Sequence, residues 1–409
     1  MPHWTLDTVQ SALRTHGLDG WLLYDFRGSN PVAVDASGLF QTGTRRWFLW
    51  IPHQGPAQLL IHAIEQSAFV EFNPRFQAAI KTYVGWRDLH SALAALLGEA
   101  GRIAMEFSPR DAVPYLDFVA GGVLELVRAA GQVEIVGSAD LVQQFQAVLT
   151  QAQAESHRQA AARVLRVKEE AFAHVADTLD ANQTLDEFAL QEFIMDRLSQ
   201  WGLEATHRPI VAVNAHAADP HYEPTAERHA EISWGDMLLI DLWGKNRGDK
   251  TACFADVTWT AYCGFHVPAK AARIFELVKE ARDTCISYIR SRLRAGESVR
   301  GCDADDVCRQ IIAEMGFGEY FTHRTGHSLG PALHFSGVNI DNMETEDNRF
   351  LVPGLLFTIE PGIYMPDFDF DKTRRDLGLG IRSEVNCLVC EDDLEITTLP
   401  LQEYIVPLL

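Results

Sequence analysis

Residues 322–337 read THRTGHSLGPALHFSG, residues 356–364 LFTIEPGIY, and residues 380–389 GIRSEVNCLV. Each phrase sets one side chain able to bind a cation or move a proton into an apolar run of strand or turn character: His327, Glu360 and Glu384. A carboxylate in such a run is costly unless it is paired or bound to a cation. Upstream, residues 235–260 (GDMLLIDLWGKNRGDKTACFADVTWT) repeat the pattern with Asp241 and Asp256. Alternate side chains of a strand share a face, so Leu239, Asp241 and Trp243 go together. The turn residues of GKNRGDK let Asp241 and Asp256 come to the same side of two antiparallel strands. One imidazole with four carboxylates is a ligand set for two hard or borderline divalent ions.

Around this centre the chain changes period several times. From Gly20 to about Val136, short apolar strands (GWLLY, RWFLWIP, AQLLIHAI, RIAMEF, VEIVG) alternate with helical segments, the mark of a compact α/β domain. No glycine-rich phosphate loop follows any of these strands, and DFRGSN lacks the lysine and spacing of one. Residues 139–181 are rich in Ala, Gln, Glu and Arg with helical periodicity, which predicts one or two long helices and a domain boundary near residue 150. In NQTLDEFALQEFIMDRLSQWG, Thr184 with Glu187 three residues later has the spacing of a capping box, and Gly202 closes that helix. PIVAVN, DMLLIDLW and ADVTWTAYC then alternate as strands, two helices follow Pro268, and strands return in the final third. Two acid-bearing hairpins flanking helices suggest an internal duplication. Residues 365–379 read as a loop.

Size and composition narrow the function. At 409 residues and 45.7 kDa, two domains are expected, residues 1–150 and 151–409. A net charge of -21 and a pI near 5.1 argue against nucleic acid or an anionic membrane surface as partner. The opening segment reads as a short helix without the charged start and apolar core of a signal peptide. No apolar run is long enough to cross a bilayer. Seven cysteines, an odd number, point to free thiols in a reducing cytoplasm. Cys387 and Cys390 have zinc-knuckle spacing but no second pair, and read as core cysteines.

These phrases resemble the pita-bread metallopeptidases, the family that includes methionine aminopeptidase, aminopeptidase P, prolidase and the non-metal creatinase. The resemblance runs from about residue 156 to 409. The smaller domain before it is similar to the N-terminal domain of the aminopeptidase P, prolidase and creatinase branch. It implies an α+β fold, with a C-terminal pita-bread domain and a smaller N-terminal α/β domain. It also implies the ligand roles: Asp241 bidentate to one ion, Asp256 and Glu384 bridging two, His327 and Glu360 on the same ion. A hydroxide shared by the ions is then the nucleophile, with Glu360 passing its proton to the leaving amine. His221 in DPHYEP matches a histidine contacting substrate, and His334 one that stabilises the tetrahedral intermediate. Arg382, two residues before Glu384, is expected on the same strand face beside the carboxylates.

The implied activity is hydrolysis of the bond before proline in peptides, of aminopeptidase P or Xaa-Pro dipeptidase type. The implied cofactors are two divalent ions, manganese first, with cobalt, zinc or iron compatible. A homodimer is the implied assembly. Taken singly, His221, His334 and Arg382 read as surface or structural residues, Asp256 as a turn residue and Glu360 as an N-cap before Pro361. Joint occurrence in one order turns the reading toward a site. His323, His216 and His207 read as structural. The connection between Asp241 and Asp256 is longer than the family's short hairpin, Phe335 stands where an acid is common, and Pro331 alters the loop after His327. Arg374 and Arg375 read either as a clamp for a substrate carboxylate or as a solvated pair. A creatinase-type amidinohydrolase, a lyase or hydrolase of small metabolites on the same metal site, and a non-catalytic binding module share the architecture; the first and the last commonly go with lost ligands, and all five are present here.

Overall fold

A computed structural model describes residues 4–38, 43–70, 76–369 and 378–409. The chain divides into two compact units, Met1–Gln146 and Ala147–Leu409.

In the first unit a six-stranded mixed sheet runs in the order β4-β3-β2-β1-β5-β6. Its strands are β1 (Gly20–Asp25), β2 (Trp47–Pro52), β3 (Gln58–His62), β4 (Ala79–Tyr83), β5 (Arg102–Met105) and β6 (Glu134–Gly137). Helices α1 (Leu6–Thr15), α2 (Pro31–Ser37), α3 (Gln66–Val70), α4 (Trp86–Leu97), α5 (Gly121–Gly131) and α6 (Ala139–Val142) surround it. The central strand is buried along its whole length. Its alternation feeds two cores, Trp21 and Leu23 into one and Leu22 and Tyr24 into the other. β4 is a strand that the apolar pattern does not announce, because three of its five residues are exposed at the sheet edge. One buried acid is fully paired: Glu106 accepts from the Trp21 indole, from Asn30 at 2.7 Å and from Ser138 at 3.2 Å.

The second unit opens on α7 (Gln151–Asp180), a single 30-residue helix started by a capping box between Thr150 and Gln153. α8 (Glu187–Gln200) follows, and here the structure corrects the sequence reading. The N-cap is Asp186, whose carboxylate accepts from the Ala189 amide at 2.7 Å, and not Thr184. Glu187 is the first helical residue and turns away from the cap.

Next come β7 (Leu203–Glu204), β8 (Ile210–Val213), β9 (Met237–Asn246) and β10 (Ala255–Tyr262). α7 and α8 share an apolar core with this sheet. α9 (Ala269–Arg294) and α10 (Gly301–Glu314) share a second core with β12 (Leu356–Ile359), β13 (Gly362–Met365), β14 (Leu379–Arg382), β15 (Val385–Val389) and β16 (Leu394–Ile396), while β11 (Ser328–Leu329) pairs with β12. β17 (Val406–Pro407) adds to the edge of β10. A helix pair followed by acid-bearing strands therefore occurs twice.

The three sheets of this unit meet along β10, through side-chain hydrogen bonds made to and from that strand. Asn386 gives its amide to the Asp256 carbonyl at 2.7 Å and accepts from the Asp256 amide at 2.9 Å. Thr260 donates to the Arg382 carbonyl at 3.0 Å, and Gln402 brackets the Thr260 backbone at 3.1 and 2.6 Å. These bonds satisfy polar groups that would otherwise be orphaned between sheets. Among the described residues no helix is long and apolar enough to cross a membrane. Cys387 is buried in β15, whereas Cys390 is only half-buried at the strand's end, so the pair is not uniformly core.

Candidate metal centre

β9 and β10 pair with Thr258 opposite Asp241 and Trp243 opposite Asp256. Side chains of registered partners share a face, so both aspartates point the same way. The strands hold them by backbone pairing alone, before any side chain makes a contact. Toward the same centre come His327, at the entry to β11; Glu360, just past β12, where Pro361 breaks the run before β13; and Glu384, in the two-residue gap between β14 and β15. Ligand atoms of Asp256, His327 and Glu384 all lie within 4.8 Å of one another. His327 Nε2 stands 3.6 Å from Asp256 and 3.4 Å from Glu360.

Local contacts fix each of these groups. His327 Nδ1 lies 3.2 Å from the Ser328 carbonyl, which takes its proton and leaves Nε2 as the lone pair facing the acids. The His327 amide donates to Thr358 Oγ1 at 2.9 Å, and that hydroxyl donates onward to Glu360 at 2.9 Å. Gly326 lets this happen: a Cβ there would lie 1.9 Å from the Thr358 carbonyl oxygen. Thr258 donates to Glu384 at 2.8 Å and accepts from Arg382 Nε at 2.9 Å. The Arg382 guanidinium also pairs with Asp241 and reaches Tyr364 at 3.3 Å.

Arg382 is the last residue of β14 and Glu384 lies in the gap just beyond it, and both side chains reach the same Thr258 hydroxyl. A residue that the sequence reading set aside belongs to the same web: His323, half-buried, meets the Tyr364 hydroxyl through Nε2 at 2.8 Å and the Arg324 carbonyl through Nδ1 at 2.7 Å. Its four-residue spacing from His327 and the tyrosine four residues after Glu360 were the only signals. His334 is exposed and stands edge-on to His327, ring centroids 4.3 Å apart. His221 is also exposed and adds to the electrostatic field at His334. His207 is exposed, and Arg374 and Arg375 lie outside the described residues.

The electrostatics ask for cations. Four carboxylates share this buried volume with one guanidinium. One oxygen each of Asp241, Asp256 and Glu384 is buried with no hydrogen-bond partner. Burial pushes Asp241 up to about 7, against the pull of Arg382 and with Asp256 and Glu360 adding to the rise. Burial, then Glu360 beside Asp256 and Asp256 beside Glu384, drive those two carboxyls well above the ordinary range. His327 is held low by burial, so its imidazole is neutral and presents a lone pair. Orphaned oxygens, a neutral imidazole and an excess of acid are the conditions that bound divalent ions relieve.

The model of metallopeptidase family M24 matches residues 155–391, more than half of the chain. The chain belongs to this family. It is thus a metallopeptidase, and its second unit is the pita-bread fold of M24, preceded by a smaller domain. A curated relative, the probable dipeptidase PepE of Mycobacterium tuberculosis, is 28% identical over 338 residues, 80% of this chain and 79% of the relative. Among solved structures, dipeptidase PepE from Mycobacterium ulcerans superposes with a TM-score of 0.69 at 22% identity, over 98% of this chain and 97% of that one. The Xaa-Pro dipeptidase from Bacillus anthracis follows at 0.61 and 20%, over 98% of each chain. The similarity to these two structures is one of fold.

Proposed function

We propose that this M24 enzyme hydrolyses the bond before proline in short peptides, Xaa-Pro dipeptides first, with two divalent ions held by Asp241, Asp256, His327, Glu360 and Glu384. The observation that carries the reading is the buried acid cluster with its three orphaned oxygens around a neutral His327. The names of the relatives, a probable dipeptidase and an Xaa-Pro dipeptidase, support the substrate class. Manganese is the metal proposed, as suits carboxylate-rich ligation with one imidazole. When bound, such ions supply a nucleophile from water near neutral pH and polarise the scissile carbonyl.

The protein's own groups do the rest. Glu360, steadied by Thr358, takes the nucleophile's proton and returns it to the departing proline nitrogen. His334, exposed at the edge of His327, donates to the oxyanion. His221 contacts the substrate from the opposite loop. Arg382 keeps Asp241 in place, and Tyr364 and His323 back Arg382. Homodimerisation is proposed on resemblance, and light scattering checks it.

The test is hydrolysis of Xaa-Pro dipeptides and Xaa-Pro-Yaa tripeptides after metal removal and readdition of Mn²⁺, with Glu384→Ala as control. Metal-dependent cleavage that the variant loses supports the reading, and the preferred length separates dipeptidase from aminopeptidase. Two bound ions with neither peptide cut would refute it.

A further inference from the structure

Glu187 begins α8 and is completely buried, yet its carboxylate serves no helix cap. It accepts four donors, one from the last residue of β8 and three from the segment that follows it. The Val213 amide reaches Oε1 at 2.7 Å, and His216 Nδ1 lies 2.9 Å from Oε2. The Tyr222 hydroxyl and the Ala230 amide both reach Oε2 at 2.7 Å. Tyr222 is itself buried, its ring stacked on His216 with centroids 4.1 Å apart.

Between Val213 and Met237 regular structure is confined to one 3-10 turn, His216–Ala218. A stretch so poor in backbone pairing needs its shape imposed from outside. Glu187 imposes it on one side. On the other, β14 presses so close that a Cβ on Gly380 would lie 1.6 Å from the Ala217 carbonyl oxygen. β14 ends in Arg382, so the turn is gripped between α8 and the strand leading to the metal centre. His221 sits inside this gripped segment, one residue before Tyr222.

We propose that Glu187 is a positioning residue for the hydrolysis: its buried carboxylate ties residues 213–230 into the shape that presents His221 to the substrate. This rests on the reading of His221 as a substrate contact. In Glu187→Gln the amide keeps one accepting oxygen and turns its NH₂ toward donors: toward the Val213 amide if it replaces Oε1, or toward the His216, Tyr222 and Ala230 donors if it replaces Oε2. Tyr222→Phe removes one donor and keeps the ring stacked on His216.

The experiment combines kinetics with hydrogen exchange on the full chain. Glu187→Gln is expected to lower kcat/KM on an Xaa-Pro dipeptide about tenfold, the worth of roughly one hydrogen bond to substrate, mainly through KM. Added to His221→Ala it should cause no further loss, and Mn²⁺ affinity should be unchanged. Exchange should rise across residues 213–230 and stay as in the wild type across 241–262. Tyr222→Phe should show a smaller effect of the same kind, and serves alone if Glu187→Gln does not fold. Losses that multiply in the double variant, or exchange over 213–230 that does not change, would overturn the proposal. A wild type that cuts no Xaa-Pro peptide refutes the proposed function instead, while the exchange result still decides the clamp.

Discussion

Thr258 sits where two strands, one guanidinium and one carboxylate converge, and its replacement by valine is a sharp perturbation. Valine keeps the shape and the β-branch, so the strand and its packing survive. It removes the donor to Glu384 at 2.8 Å and the acceptor of Arg382 Nε at 2.9 Å. Each is a charge-assisted bond in a fully buried place, worth about 1.5–3 kcal/mol. The loss falls on the orientation of Glu384 and, through Arg382, of Asp241. Groups that orient metal ligands typically control about 10–100-fold in metal affinity, and tenfold is about 1.4 kcal/mol. Thr258→Val should therefore bind Mn²⁺ about 10–100-fold more weakly, by competition with a calibrated chelator, while its circular dichroism matches the wild type. An affinity within twofold of the wild type would refute the argument that this hydroxyl holds the centre together.

Two further outcomes follow from the same geometry. In the metal-free protein Asp241 is raised from its ordinary 3.8 to about 7, and Asp256 and Glu384 are raised as well. A carboxyl with a raised folded pKa contributes stability that is full below its unfolded pKa and is lost as pH rises through the folded value. The chelated protein should thus melt lower at pH 8 than at pH 5, and Mn²⁺ should restore most at pH 8, because protons compete with the metal. Calorimetry with and without chelator checks this, and a chelated melting temperature that rises over that interval would count against it. Gly326→Ala should destabilise by about 1–3 kcal/mol, the usual cost of overpacking, because the new methyl meets backbone oxygen of β12 at 1.9 Å. Denaturant titration reads the loss.

Much of the centre is written locally. A strand has a period of two residues, so Asp241 and Asp256 could be assigned one face from GDMLLIDLW and ADVTWT, and the strand register has that parity. His327, Glu360 and Glu384 stood out because acids and imidazoles are costly in apolar runs, a rule that needs no partner to be known. The helices after Pro268 and the strands of the first unit other than β4 were legible from the apolar pattern.

What the tertiary structure decided lies where one side chain chooses among distant partners. Thr184 and Asp186 both fit a helix start, and the spacing to Glu187 favoured Thr184. Folding gave the cap to Asp186, because Glu187 finds four donors between 26 and 43 residues away. Arg382 and Glu384 were legible as neighbours two residues apart, but the threonine from β10 that joins them was not. His323 read as a bland residue because its partner, Tyr364, comes from a strand 41 positions on. Period and polarity are properties of a few consecutive residues and survive in the sequence. Hydrogen-bond partnership between buried groups depends on which segments pack together, and only the folded chain specifies it.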